Sequence, residues 1–255
     1  MQVYLSVIPR HCREAIKYHT RLAHVAYRIG PDSHLLRQSL LMQTKGGLLS
    51  LSDRDCPPIT RPEALCRELW QECGLRGYLG VLADFESDPC EDRVAFLRRL
   101  CALLRGHNRR LFLPERWALQ VPGATAVICT ALSGGSFQAR LREAADHFGP
   151  NQTALDVQRL TMDFTLPSPT GMGTPLSRED FQAVWQEHSP TPFYSKDLCA
   201  KYFTYTKEGV SHFLLFDDAD TIRRKIRTGS SMGLCAAFLM YPEVQDLLPA
   251  LFRPQ

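Results

Sequence analysis

The sequence lacks several features that would assign it to a membrane or secreted class of protein. No apolar run approaches the roughly 20 residues that a membrane-spanning helix needs. The opening stretch, residues 1–9, has no basic start, long apolar run or small-residue cleavage site, so it predicts a first strand rather than a signal peptide. Low-complexity linkers and internal repeats are also absent. We therefore expect one domain over residues 1–255, synthesised in the cytoplasm.

The chain also has little net charge, only +3, because 30 basic residues are interspersed with 27 acidic ones. This pattern contains no basic stripe, so neither a nucleic acid nor a membrane surface is expected as a partner. The hydrophobic fraction of 44% is sufficient for a large buried core.

The nine cysteines include no pair at Cys-x-x-Cys spacing, and no His, Cys and carboxylate spacing resembles a metal site. Disulfides or a zinc site are the less favoured alternatives, and a reducing compartment fits better. We expect no metal and no cofactor. Five cysteines within apolar patterns are predicted to behave as small buried hydrophobes, namely Cys66, Cys73, Cys101, Cys129 and Cys235.

Residues 77–86 predict a buried parallel strand that ends in two carboxylates. Because side chains alternate across a strand, Leu82, Asp84 and Glu86 should share one face. The two carboxylates would then lie about 6.6 Å apart along the strand. Residues 87–89 form a turn-promoting cluster directly afterwards. Since α/β folds place their chemistry at the C-terminal ends of parallel strands, this pair is the candidate active site.

Strand and helix patterns alternate along the whole chain, which favours a parallel sheet with right-handed crossovers. The sequence therefore predicts a single-domain (β/α)8 TIM barrel with one additional hairpin or edge strand. The predicted strands are residues 3–8, 22–29, 47–51, 77–86, 110–113, 124–132, 161–166, 210–216 and 234–240, with 161–166 and 210–216 as the seventh and eighth. The predicted helices are residues 62–73, 92–105, 137–148, 178–188 and 219–227.

Residues 77–86 resemble the strand-four signature of glycoside hydrolase family 18, Gly-Phe-Asp-Gly-x-Asp-x-Asp-x-Glu. They are more similar to a bacterial branch, which includes spore cortex-lytic N-acetylglucosaminidases, where the motif is shortened to Asp-Phe-Glu. Asp84 and Glu86 match, whereas Leu79 and Leu82 stand at the other two acidic positions. A later stretch, 200–226, resembles the aromatic hairpin and the Trp-Phe-x-Asp-Ala-x-Ser-Ile-x-x-Lys run of that branch. Its matching residues are Phe203, Tyr205, His212, Phe216, Asp218, Ala219, Thr221, Ile222 and Lys225.

The resemblance implies substrate-assisted, retaining hydrolysis of β-1,4-linked N-acetylglucosamine-containing glycans, either peptidoglycan or chitin-like. In that chemistry Glu86 is the general acid and Asp84 orients the acetamido group of the substrate. The resemblance also implies a glycan as the partner and an association with spores. Further substrate-binding residues are predicted at Tyr27, Glu115, Asp163, Asp218, Phe238 and Tyr241.

Two departures from the family pattern leave alternatives open. Ala131 and Leu132 stand where strand six usually carries Tyr and Asp, and residues 233–241 lack the usual Trp, for which Phe238 or Tyr241 could substitute. We therefore expect slow turnover or none, with glycan binding less affected. One alternative is a weak or inactive barrel that binds such glycans or a protein partner. Another is a barrel whose two carboxylates merely bind lysines or arginines.

Overall fold

The computed structural model describes residues 1–38, 46–168 and 171–252, in which strands and helices alternate. The strands of these ranges are, in chain order, β1 (Gln2–Val7), β2 (Leu22–Ile29), β3 (Leu35–Arg37), β4 (Leu48–Ser52), β5 (Gly80–Asp84), β6 (Arg110–Pro114), β7 (Thr125–Cys129), β8 (Thr153–Asp156), β9 (Thr161–Leu166), β10 (Thr174–Pro175), β11 (Phe193–Ser195), β12 (Ala200–Lys207), β13 (Val210–Phe216) and β14 (Ala236–Met240). The helices are α1 (Cys12–Ala15), α2 (Pro62–Arg76), α3 (Glu91–Arg105), α4 (Glu115–Ala118), α5 (Phe137–Phe148), α6 (Arg178–His188), α7 (Ala219–Ser231), α8 (Tyr241–Val244) and α9 (Leu248–Leu251).

Eight of the strands form a closed parallel barrel. Their order is β1, β14, β8, β7, β6, β5, β4 and β2, and the pairing of β1 with β2 closes the ring. Strand β3 adds to the edge of β2 in the antiparallel sense. The predicted (β/α)8 barrel is therefore confirmed, and the motif-bearing β5 is its fourth strand.

Two of the predicted barrel strands belong instead to a second sheet. This inserted sheet, which comprises β9 to β13, is antiparallel with the order β10, β9, β13, β12 and β11. The prediction that residues 161–166 and 210–216 are the seventh and eighth barrel strands is wrong, since these positions are taken by β8 and β14. Hydrophobic periodicity alone does not separate parallel from antiparallel strands, and β8, with four residues, is too short for a clear pattern.

The barrel strands are apolar on both faces because each face meets a different layer. One face points into the barrel, where the buried interior side chains are Tyr4, Ala23, Leu48, Leu82, Phe112, Val127, Ala154, Ala236 and Phe238. The other face packs under the outer helices, and Phe85 illustrates it. Its ring makes an edge contact with that of Trp117, with the centroids 5.3 Å apart. The alternation predicted for residues 77–86 is thus confirmed.

Two glycines of the α2–β5 segment offer a test of how tightly the barrel wall is packed. A Cβ added at Gly80 would lie 2.4 Å from the carbonyl oxygen of Arg110, whereas Gly74 in α2 has nothing within 4 Å. We expect Gly80→Ala to lower the free energy of unfolding by about 1–3 kcal/mol through overpacking. Gly74→Ala should raise it by up to about 1 kcal/mol, because alanine favours helix. Urea unfolding of both variants measures this, and equal effects would show that β5 has room for a methyl group.

The cysteines follow the predicted burial only in part. Cys66, Cys73 and Cys101 are buried, Cys235 is partly buried, and Cys129 is exposed at the end of β7. The expectation of a buried Cys129 is wrong because β7 ends at this residue, beyond the packed interior of the barrel. Over the described ranges, no helix combines the length and the apolar character needed to cross a lipid bilayer.

Candidate active site

A cavity of about 530 Å³ lies at the C-terminal end of the barrel strands. The ends of β1, β5, β6, β7, β8 and β14 all contribute to its wall, as is usual for sites in (β/α)8 barrels. Most of its charged side chains are acidic. The carboxylates in the wall are Asp84, Glu86, Glu115, Asp156 and Glu243.

Asp84 and Glu86 occupy the part of the cavity where strand β5 ends. Leu82 on the same face is buried in the barrel interior, Asp84 is partly buried, and Glu86 is exposed at the mouth. Burial raises the pKa of Asp84, and the nearby carboxylates of Glu86 and Asp53 raise it further. The side chain of Asp84 therefore keeps its proton to a higher pH than an exposed aspartate does.

The backbone that carries Glu86 is held from three sides. The carboxylate of Asp53, which is itself buried, accepts hydrogen bonds from the backbone N–H groups of Glu86 (2.9 Å) and Ser87 (3.2 Å). The indole Nε1 of Trp117 donates to the carbonyl oxygen of Ser87 at 3.0 Å. Arg116 donates to the carbonyl oxygen of Glu86. These bonds fix the direction in which the Glu86 side chain leaves the strand end.

Asp156 at the end of β8 is a cavity carboxylate that the sequence reasoning missed. Burial, together with the negative charges of Asp84 and Glu243, raises its pKa to about 6 although Gln158 donates a hydrogen bond to it at 2.7 Å. Burial also raises the pKa of Glu243. The available signal was the short apolar run that ends in Asp156 after the Gly-Pro pair at 149–150. The run that ends in Asp84 is likewise apolar.

The raised pKa of Asp156 predicts a pH-dependent stability. An unfolded aspartate ionises near pH 4, whereas the folded protein retains this proton until about pH 6. Between these values the folded state binds more protons, so the free energy of unfolding falls as the pH rises through this window. We compare the free energy of unfolding of Asp156→Asn with that of wild type at each pH. This difference should favour the variant by about 2–3 kcal/mol more at pH 7 than at pH 4.

Denaturant titrations at the two pH values measure this difference for Asp156. The exposed Asp146 on α5 supplies a matched control, because Asp146→Asn removes a carboxylate that lies outside the cavity. A stability difference for Asp156→Asn that is the same at both pH values would contradict the prediction.

Two of the predicted substrate-binding residues also line the cavity. Glu115 begins α4 directly after β6 and forms an ion pair with Arg140 of α5. Phe238 lies at the base of the cavity, where its ring stacks on that of Tyr4 with the centroids 5.5 Å apart. Its placement fits the aromatic surface that the resemblance implies in the last barrel strand.

Tyr27 and Tyr241, by contrast, do not line the cavity. A register shift between Val25 and Tyr27 in β2 breaks the alternation and turns Tyr27 outwards. There its hydroxyl donates to Glu72 of α2 at 2.8 Å. Tyr241 lies one residue beyond β14, so it starts α8 and is buried with its ring stacked on that of His11.

Asp163 and Asp218 belong to the inserted sheet and to the helix that follows it. Asp163 in β9 accepts hydrogen bonds from His212 (2.8 Å) and Tyr205 (3.1 Å) within the sheet. Asp218 is the N-cap of α7 and pairs with Lys201 at 2.5 Å. Neither lines the cavity, because the strands at 161–166 and 210–216 are not barrel strands.

The position taken for the family's strand-six tyrosine also packs elsewhere. Ala131 lies beyond the end of β7 and contacts the hydrophobic cluster of the inserted sheet that includes Leu160 and Leu215. The residues of β7 that line the cavity are Val127 and Cys129, and the Cys129 thiol donates to Gln158 at 3.5 Å.

No family model matches the chain, and no curated protein is similar to it. Solved structures do match. The spore cortex-lytic enzyme SleL of Bacillus cereus gives a TM-score of 0.65 at 16% identity, covering 98% of this chain and 74% of that one. The chitinase of Chromobacterium violaceum gives a TM-score of 0.67 at 13% identity, covering 98% of this chain and 97% of that one. The GH18 chitinase of Cycas revoluta, solved with (GlcNAc)3, gives a TM-score of 0.65 at 12% identity, covering 98% of each chain. The chain has a family 18-like barrel.

The resemblance that the sequence suggested is therefore confirmed at the level of the fold. In this family 18-like barrel, the fourth strand β5 delivers Asp84 and Glu86 to the C-terminal mouth. The identities of 12% to 16% to these three structures carry the fold but not the activity. The activity has to be argued from the cavity itself.

Proposed function

We propose that this protein is a glycoside hydrolase that cleaves β-1,4-linked glycans containing N-acetylglucosamine. The observation that carries the proposal is the pair Asp84 and Glu86, which lies in a 530 Å³ cavity at the C-terminal mouth of a family 18-like barrel. The cavity has a buried aromatic side chain, Phe238, at its base and carboxylates around its wall. This is the combination that a glycan with a cleavable glycosidic bond requires.

The proposed reaction is substrate-assisted, so the protein needs no nucleophile of its own. The carbonyl oxygen of the 2-acetamido group attacks the anomeric carbon while Glu86 gives a proton to the departing glycosidic oxygen. Asp84 faces the positive charge that develops on the resulting oxazolinium ring and stabilises it. The ionised Glu86 then takes a proton from water, which opens the ring with retention of configuration.

The raised pKa of Asp84 supports this assignment, because carboxyl groups with a perturbed pKa are common at catalytic sites. The surrounding backbone bonds from Asp53 and Trp117 serve to keep the Glu86 side chain directed at the glycosidic oxygen.

Peptidoglycan and chitin are the polymers to test first. A SleL structure is described as that of a spore cortex-lytic enzyme, and the Cycas revoluta structure holds (GlcNAc)3. By analogy we propose a glycan as the partner of this protein and a place in spore-related wall turnover after synthesis in the cytoplasm.

The test is turnover of a chromogenic tri-N-acetylglucosaminide, with product analysis on chitin oligomers and on purified peptidoglycan. We expect release of the chromophore with retention at the anomeric centre. Absence of turnover on all three substrates, together with binding of the oligomers, would favour a second candidate function, a glycan-binding barrel. The observation behind this second candidate is that Ala131 contacts the inserted sheet and supplies no hydroxyl to the cavity. If the protein shows no turnover and no glycan binding, both candidates are contradicted.

A further inference from the structure

The cavity holds more negative charge than the proposed reaction uses. Glu115 forms an ion pair with Arg140. Within the part of the chain that the structure describes, no ion pair involves Asp84, Glu86, Asp156 or Glu243. The cationic side chain in the wall is Arg116, and its Nη2 donates to backbone oxygens rather than to a carboxylate. Two of the unpaired carboxylates, Asp156 and Glu243, lie outside the motif strand β5.

The side-chain oxygens of Asp156 and Glu243 accept hydrogen bonds from neutral groups. Gln158 donates its side-chain amide to Asp156 at 2.7 Å. The backbone N–H of Arg159 donates to the Glu243 carboxylate at 3.0 Å. The Arg159 guanidinium donates to the carbonyl oxygen of Glu243 at 3.1 Å and forms its ion pair with Asp246 at 2.8 Å. The carboxylates of Asp156 and Glu243 are therefore oriented without an ion pair of their own.

A hydroxyl group in the same wall is buried without a partner among the residues that the structure describes. Ser6, near the end of β1, is 1% exposed and lines the cavity, yet no described residue hydrogen-bonds to its Oγ. A buried hydroxyl without a partner costs free energy, so a ligand that hydrogen-bonds to it gains from satisfying it. This observation is independent of the carboxylates and points to a polar ligand group at the base of the cavity.

We propose that the cavity recognises a glycan in which a sugar next to the cleaved N-acetylglucosamine carries a free, protonated amine, that is, a glucosamine unit. The proposal rests on the proposed function and specifies its substrate class as partly de-N-acetylated glycan. The cleaved sugar itself must keep its acetamido group, because that group is the nucleophile.

An ammonium group fits the site for two reasons. It has three N–H donors, which match the acceptor oxygens of Asp156, Glu243 and Ser6. Its charge also opposes the unpaired carboxylates, and such pairing is stronger in a partly buried cavity than in water. A metal ion fits less well, since no cluster of three or more metal-binding side chains occurs among the described residues.

The experiment measures binding and turnover separately. Glu86→Gln, which removes the proposed acid, is titrated calorimetrically with a fully acetylated chitin hexamer and with a hexamer in which about half of the sugars carry free amines. We expect the second to bind about tenfold tighter, which corresponds to about 1.4 kcal/mol. The ratio should fall in about 1 M salt, where the Debye length is about 3 Å. These hexamers carry no peptide, so a preference reports the sugar amine.

Substitutions in the Glu86→Gln background assign the preference to the site. Adding Asp156→Asn or Glu243→Gln should bring the ratio of the two hexamer affinities towards one. Adding Asp146→Asn on the outer face of α5 should leave this ratio unchanged. Thermal unfolding verifies that each variant is folded, and two separate cavity substitutions are made so that the test stands if one variant does not fold. An affinity ratio at or below one overturns the proposal. So does a ratio that survives both cavity substitutions.

Wild-type turnover distinguishes failure of this proposal from failure of the proposed function. Hydrolysis of the acetylated hexamer without any preference for free amines overturns the amine site and leaves the hydrolase assignment standing. A tenfold binding preference without turnover of either hexamer overturns the hydrolase assignment and supports the amine site.

Discussion

Glu86→Gln is expected to reduce hydrolysis of N-acetylglucosamine oligomers by about 10²–10⁴-fold while their affinity changes little. The amide keeps the shape of the side chain and its place at the end of β5, where Asp53 and Trp117 hold the backbone. It cannot give a proton to the glycosidic oxygen. Steady-state turnover and calorimetric binding, measured side by side, test the two parts of the expectation.

The identity of the leaving group sharpens this test of Glu86. A nitrophenolate leaves without much protonation, whereas a sugar hydroxyl needs the acid. The loss caused by Glu86→Gln should therefore be smaller on a nitrophenyl substrate than on a chitin oligomer. Glu91→Gln at the start of α3 is a control on the outside of the barrel. Equal losses on both substrates, or unchanged turnover, would contradict the role of Glu86 as the acid.

Lys225→Met is expected to lower the free energy of unfolding by about 3–5 kcal/mol. Lys225 in α7 and Asp217 form an ion pair at 2.6 Å, and neither side chain is exposed. Asp217 also accepts hydrogen bonds from the backbone N–H of Leu160 (3.0 Å) and the hydroxyl of Thr221 (2.8 Å). Removing the lysine leaves the Asp217 carboxylate buried without its counter-charge, and this unpaired buried charge accounts for most of the loss in stability.

A second lysine supplies the comparison in urea unfolding. Lys201 of β12 forms an ion pair with Asp218, the N-cap of α7. Both side chains are about a third exposed, at 28% and 32%. Lys201→Met should therefore cost no more than about 1 kcal/mol. Adding Asp217→Asn to Lys225→Met should recover part of the loss, because no charge is then buried. Similar costs for the two lysines would contradict this account.

The fourth barrel strand was predictable because its signal is local. Residues 77–86 are apolar on both faces, they end in a turn, and the alternation of a strand then dictates which side of the wall Asp84 and Glu86 occupy. The alternation of strands and helices was sufficient to predict the barrel. None of these inferences depends on how distant segments pair.

The errors arose where distant pairing decides the outcome. Strand β8 has four residues, and its neighbours β7 and β14 identify it as a barrel strand. The longer β9 and β13 carry a stronger strand pattern but pair with each other in the antiparallel sense. As a result Asp156 was missed and Asp163 was assigned to the cavity.

A single backbone irregularity accounts for the error at Tyr27. The alternation of β2 from Ala23 onwards places Tyr27 on the interior face, but the register shift after Val25 reverses the face. Nothing in residues 22–29 marks this bulge, which shows only in the pairing of β2 with β4. The predicted site residues that line the cavity, Asp84, Glu86, Glu115 and Phe238, lie in or directly after strands without such a shift.

The pairing of the first barrel strand with the last has a consequence for synthesis on the ribosome. Strand β1 completes its hydrogen bonding only when β14 emerges, and β8 waits for the same strand. Translation of residues 157–235, which include the inserted sheet, takes about 4–16 s at ordinary elongation rates. Throughout that time the nascent chain exposes two unpaired strand edges, which other chains can join. The speed of the ribosome over this stretch therefore sets how long the unfinished barrel needs protection by chaperones.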